Sequence, residues 1–138
     1  MKAVNVDGRD VTGRAIELRG ADVRASLVFT DRPTELSGFV RDERGQPSSD
    51  SFVYVFPAGS DAWVDFGPMP VGISQLLPDA RGFYRTSNLP PGDYLVSASK
   101  AVPPDVWQTT TFLRTLVSSA ARVKLGASEH RTVDLTAR

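Results

Sequence analysis

Asp61 and Asp65 stand on either side of Trp63, with Phe66 directly after the second acid. Two carboxylates flanking an indole suit a sugar ring. The aromatic face stacks on C–H groups while the acids take hydroxyls, or the pair works as acid and base on a glycosidic bond. Trp107 is the other indole of the chain and can stack in the same way. Against this stands the large apolar area of tryptophan, which is normally buried. On that reading Trp63 and Phe66 tuck over a sheet edge and Trp107 docks a helix.

The remaining reactive side chains form weaker constellations. Ser48, Ser49 and Ser51 surround Asp50. A serine nucleophile needs a positioned base and oxyanion donors. The G-x-S-x-G setting is absent, and serines beside an aspartate are ordinary turn chemistry. His130, in Ser128-Glu129-His130-Arg131, is the single histidine, so a site built on two imidazoles is excluded. It reads as an exposed turn residue. Zero cysteines exclude disulfides, thiolate metal sites and a cysteine nucleophile. Asp42-Glu43, Asp79 and Asp93 lack the spacing of a calcium loop and read as solvated turn acids. The expectation is a non-enzyme with no catalytic residues, no cofactor and no metal. Asp61, Trp63, Asp65, Phe66 and Trp107 are its candidate ligand-binding residues.

The composition sets the frame for these residues. The 138 residues suit one domain with a real core. Hydrophobic residues make up 41% and charged residues 23%, as in ordinary globular proteins. Sixteen basic against 16 acidic side chains give no net charge, which removes the general attraction to phosphate that nucleic-acid binding needs. The arginines are scattered, a mark of genome composition. No run reaches the roughly 18 apolar residues of a membrane span, so no membrane insertion is expected. The opening Met1-Lys2-Ala3-Val4-Asn5-Val6-Asp7 lacks the apolar centre of a signal peptide, as it would in a piece of a longer exported chain.

Eleven glycines and 10 prolines between β-branched runs predict many short strands. Ala3 to Val6 alternates and meets the tight-turn pair Asp7-Gly8. Val11 and Ala15 to Leu18 are further short candidates. From Val23 to Thr30, Val23, Ala25, Leu27 and Phe29 share one face. Leu36 to Asp42 follows, with Leu36, Gly38 and Val40 on one side. Ser51 to Phe56 is apolar on both faces, as a strand covered on both sides would be. A long loop over residues 57–70 precedes strands at Val71 to Leu77, Phe83 to Thr86 and Asp93 to Ser99. The period changes over Val106 to Ala120, where Phe112, Leu113, Leu116 and Val117 predict a short helix capped by Asp105. Strands at Arg122 to Leu125 and Arg131 to Thr136 close the chain. Together these predict an all-β antiparallel sandwich with one short helix near the C-terminal end.

The string Leu36-Ser37-Gly38-Phe39-Val40-Arg41-Asp42-Glu43-Arg44-Gly45-Gln46-Pro47 resembles the opening of a carboxypeptidase regulatory-like domain. Asp79-Ala80-Arg81-Gly82-Phe83-Tyr84-Arg85 and Leu89-Pro90-Pro91-Gly92-Asp93-Tyr94 are similar to its hairpin signature. Trp107-Gln108, Phe112-Leu113, Arg122-Val123 and Thr132-Val133-Asp134-Leu135 extend the likeness, which covers residues 34–138. Each type has a mechanical reason: Gly45 and Gly82 take positive φ in turns, Pro90-Pro91-Gly92 makes a reversal, and Phe83 is expected to meet Tyr94 in the core. The resemblance implies a prealbumin-like sandwich of about seven strands, related to starch-binding-like folds.

The family's members are mostly non-catalytic modules of peptidases, transporters or surface proteins. A non-catalytic spacer or docking module in a larger exported bacterial protein is therefore implied, located outside the cell or in its envelope. Neighbouring domains are its first partners, and a glycan or protein ligand a further one. Carbohydrate binding through the loop aromatics, or positioning of an attached peptidase, are the alternatives. Adhesin-type isopeptide chemistry is not expected, because the only lysines are Lys2, Lys100 and Lys124 and the strand from Leu36 holds none. Transthyretin-like hydrolases and intradiol dioxygenases use several histidines and are likewise not expected. Residues 1–33 fall outside the likeness and resemble the end of a preceding β-domain. The apolar row Val23 to Phe29 must pair with something: the prediction is an edge of the 34–138 sandwich, or another copy of the chain.

Overall fold

The computed structural model describes residues 3–11, 16, 17, 20, 22–29, 31, 33–63, 72–100, 102 and 104–137. Strands β1 (Ala3–Val6), β2 (Arg9–Asp10) and β3 (Ala25–Val28) come first, then β4 (Glu35–Arg41) and β5 (Ser51–Pro57). A 3-10 turn at Ser60–Trp63 precedes β6 (Ser74–Leu76), β7 (Phe83–Ser87) and β8 (Gly92–Lys100). Helices α1 (Pro104–Trp107) and α2 (Thr110–Leu116) lead through a 3-10 turn to β9 (Ala121–Leu125), β10 (His130–Thr132) and β11 (Leu135–Thr136).

Two four-stranded sheets make the sandwich. One has the order β6-β5-β8-β9, antiparallel throughout; the other pairs β4 with β7, β10 and β11. Period-two alternation sorts their side chains. Leu36 and Val40 of β4 meet Val53 and Val55 of β5 and Tyr94, Val96 and Ala98 of β8 between the sheets. The intervening residues Tyr54, Phe56 and Leu95 point through the other face of the second sheet, where Trp63, Leu113 and Leu116 cover them. β5 is thus buried on both sides, as its unbroken apolar run predicts, and the molecule has three layers: sheet, sheet and helix.

The helical segment divides in two. Thr109, not Asp105, caps the longer helix, accepting a hydrogen bond on Oγ1 from the Phe112 N–H at 3.2 Å. Threonine is a poor interior residue but a good cap, because its hydroxyl replaces the missing backbone acceptor. The run Thr109 to Thr111 therefore restarts the helix instead of weakening it.

The last strand departs from the antiparallel expectation. β10 and β11 run parallel to β4, pairing His130 with Glu35 and Leu135 with Val40 in one constant register. They form one interrupted strand. The turn after β9 carries the chain across to the opposite sheet, and its residues, Gly126-Ala127-Ser128, look the same in sequence as those of a hairpin. Phe83 does not meet Tyr94, since β7 and β8 lie in different sheets. It faces outward against Phe39, ring centroids 5.3 Å apart. Tyr84 takes the inward place, and a phase shift of one residue exchanges the two faces of a strand.

β3 likewise pairs with β1 and not with the sandwich, giving a separate sheet of order β2-β1-β3. The Asp7-Gly8 turn between β1 and β2 has φ of 48° and 80°, the geometry the dipeptide favours.

Two buried phenols give the fold an alkaline limit. The Tyr94 hydroxyl donates to the Pro90 carbonyl at 2.7 Å, and burial pushes its pKa up to about 12. Burial, then the nearby charge of Asp134, pushes Tyr84 up as well. A phenol whose pKa rises on folding stabilises the native state below its unfolded value of about 10 and loses that contribution as pH climbs towards the folded value. The urea midpoint is expected to fall steadily from about pH 10 to pH 12, and Tyr94→Phe to flatten that fall. An invariant midpoint would contradict this.

Candidate functional site

The candidate ligand-binding loop begins where Pro57 ends β5. The chain makes one 3-10 turn, Ser60–Trp63, with exposed Asp61 in its first turn. Trp63 folds back under it. Its side chain is 4% exposed, its Nε1–H donates to the Pro57 carbonyl at 2.7 Å, and its ring meets Phe56 edge-on at 5.5 Å. Burying an indole requires a partner for its N–H, and the carbonyl at the strand's end supplies one. The Thr110 hydroxyl donates to the Trp63 carbonyl at 3.3 Å, tying the turn to α2.

Trp107, at the end of α1, is half-buried against the same cluster of Tyr54, Phe56, Leu113 and Leu116. The two indoles therefore join one apolar layer over β5, and the Trp63 ring presents no open stacking face. Asp61 remains at the surface in the turn that ends at Trp63. Asp65 and Phe66 lie outside the described residues.

The other candidates are engaged locally. Asp42 Oδ1 accepts from the N–H groups of Arg44 (2.9 Å) and Gln46 (2.8 Å). Asp79 Oδ1 does the same for Arg81 (2.8 Å) and Phe83 (2.9 Å). These are two copies of one D-x-x-G turn, with Gly45 and Gly82 at φ of 78° and 76°. The N–H of Phe83, and after it the contacts of Arg81, hold Asp79 below its ordinary carboxylate value despite some opposing desolvation. The Ser48 hydroxyl reaches Asp50 Oδ1 and Ser51 Oγ, both at 2.9 Å, with Ser48 and Ser51 buried beneath the turn. His130 opens β10 and is exposed; its Nδ1 lies 3.9 Å from Glu35 Oε1, and the other oxygen of Glu35 takes Arg85 at 2.7 Å. Among the described residues no three His, Cys, Asp or Glu side chains gather as metal ligands.

Sequence reasoning did not find two surface features. The Arg85–Glu35–His130 cluster arises from the parallel register of β10 on β4, and the Phe39–Phe83 pair from the register of β4 on β7. Neither pairing has a local signal. The described hollows lie on the polar side of the N-terminal sheet; one of about 590 Å³ is lined by Asn5, Asp7, Gly8, Arg24 and Ser26.

No family model and no curated protein matches the chain, so its likeness to carboxypeptidase regulatory-like domains rests on the local motifs. Solved structures do share the fold. BcpA, the major pilin subunit of Bacillus cereus, aligns over 83% of this chain and 33% of its own, with a TM-score of 0.51 and 12% identity. A streptococcal ancillary pilin aligns over 78% of this chain and 33% of its own, with a TM-score of 0.50 and 15% identity. The Bacillus anthracis TIE protein aligns over 83% of this chain and 19% of its own, at a TM-score of 0.48 and 15% identity. The chain spans a third or less of each of these proteins. Its β-sandwich is of the kind found as a domain in bacterial pilins, and no helix among the described residues is long and apolar enough to cross a membrane.

Proposed function

We propose that this chain is a non-catalytic β-sandwich module of a larger bacterial surface or exported protein, acting as a spacer or docking domain between neighbouring domains. One observation carries the reading: the fold recurs as a part, about a third, of pilin chains. The side chains add support. Asp42 and Asp79 hold turns, Ser48 and Ser51 are buried together, and the charged neighbour of His130 is the Glu35 carboxylate, which Arg85 also engages. Burial of Trp63 favours the spacer or docking role over the carbohydrate-binding alternative.

A screen of the purified chain against ester, peptide, phosphoester and glycoside substrates is expected to be blank. Reproducible turnover abolished by His130→Ala or Ser48→Ala would overturn the reading. A glycan array probed with wild type and Trp107→Ala addresses the alternative: binding lost in the variant would establish it.

A further inference from the structure

The N-terminal sheet ends in a strand with an open side. β3 pairs with β1 on one edge, and among the described residues nothing pairs with the other. The Asp7 N–H donates to the Arg24 carbonyl at 3.3 Å, which sets the parity of the ladder. Arg24, Ser26 and Val28 turn their backbone groups towards β1, so Ala25 and Leu27, and in continuation Val23 and Phe29, turn theirs to the open side. Those four residues also carry the apolar row, with Val23 38%, Leu27 54% and Phe29 72% exposed. Natural edge strands are normally guarded by lysine, proline or a bulge. Residues 23–29 hold neither lysine nor proline, and their one charge, Arg24, lies on the opposite face.

We infer that this edge docks a second copy of itself, the two β3 strands adding antiparallel about a two-fold axis. A two-fold contact requires a strand that matches itself. With Ser26 on the axis, Ala25 opposes Leu27 and Val23 opposes Phe29. Outward backbone groups then meet outward backbone groups, and the apolar row runs unbroken across the seam. The absence of net charge leaves no overall repulsion between copies. One short strand on each side covers far less than the roughly 1,600 Å² of a standard interface, so the pair is weak and forms as concentration rises.

The chain has no cysteine, so Ser26→Cys introduces a unique thiol. The two Ser26 residues would occupy a non-hydrogen-bonded pair with Cα atoms about 4.5 Å apart, within disulfide reach. Under mild oxidation Ser26→Cys is expected to give a covalent dimer far faster than Ser118→Cys, an exposed control on the helical side. Ala25→Pro removes only an outward N–H, and Leu27→Lys places a charge in the seam. Each substitution counts twice in a symmetric pair, so each should weaken association in sedimentation roughly tenfold. A wild-type chain that stays monomeric up to about millimolar concentration would overturn the inference. So would equal crosslinking of the two cysteine variants, or sedimentation unchanged by both edge substitutions.

Discussion

Gly38→Ala is expected to dislodge the C-terminal strand. A Cβ at Gly38 would overlap the Val133 carbonyl oxygen, lie 2.6 Å from the Val133 carbonyl carbon and 3.0 Å from Tyr84 Cε1. The first two atoms are backbone and cannot swing aside. They are also pinned: the Val133 N–H donates to the Ser37 carbonyl at 2.8 Å, and its carbonyl accepts from the Tyr84 hydroxyl at 2.6 Å. The Asp134 carboxylate next to it accepts from the Phe39 N–H at 2.9 Å. One methyl group therefore forces three hydrogen bonds to shift. The cost is expected at about 3 kcal/mol or more, at the upper end of overpacking effects. Thermal melting should drop by roughly 10 °C for a chain of this size, with amide-exchange protection lost first over residues 130–136. Gly92→Ala, whose Cβ would meet only Tyr94 Cε2 at 3.6 Å, is the near-neutral comparison. Equal melting temperatures for the two variants would show that the approach at Gly38 is not tight.

Trp63→Ala is expected to cost about 3–5 kcal/mol, the usual range for emptying a buried aromatic site. That corresponds to a melting temperature lowered by roughly 10–15 °C. The substitution removes the edge contact with Phe56 and the donor to the Pro57 carbonyl, leaving a gap under α2. A calorimetric melt separates the two roles assigned to this residue. A ring serving a ligand from the surface would leave stability near wild type, whereas a ring that fastens loop and helix to the sheet would not.

How far the sequence reaches is visible in particular elements. Alternation in β4 put Leu36, Gly38 and Val40 on one side, and Leu36 and Val40 face the core, because a sheet buried on a face punishes any slip of register; the unbroken apolar run of β5 marked a strand covered on both sides. Both D-x-x-G turns were legible, since the glycine's positive φ and the aspartate's grip on its own backbone are local events. Pairing was less so. Gly126-Ala127-Ser128 looks the same whether the chain returns beside β9 or crosses to β4, and β3 finds β1 across a segment that carries no pairing signal. Trp63 was open between surface and core: its neighbours in sequence are mixed, Ala62 and Val64 inside Asp61 and Asp65, while those it packs on, Phe56 and the residues of α2, come from other elements. Composition suggests such a choice, and only tertiary contacts decide it.

The parallel course of β4 and the β10–β11 strand has a mechanical meaning. β4 begins at Glu35 and β11 ends at Thr136, side by side and pointing the same way. Tension applied between those two ends drags adjacent strands in opposite directions along their own length. The bonds from Glu35 to Glu129, Val133 to Ser37 and Ala137 to Arg41 all lie across the direction of pull. They strain together, whereas a hairpin opened from one end breaks its bonds in sequence. The seam that completes the sandwich is in this way its tensile clasp, and the module resists stretching until the whole seam shears at once.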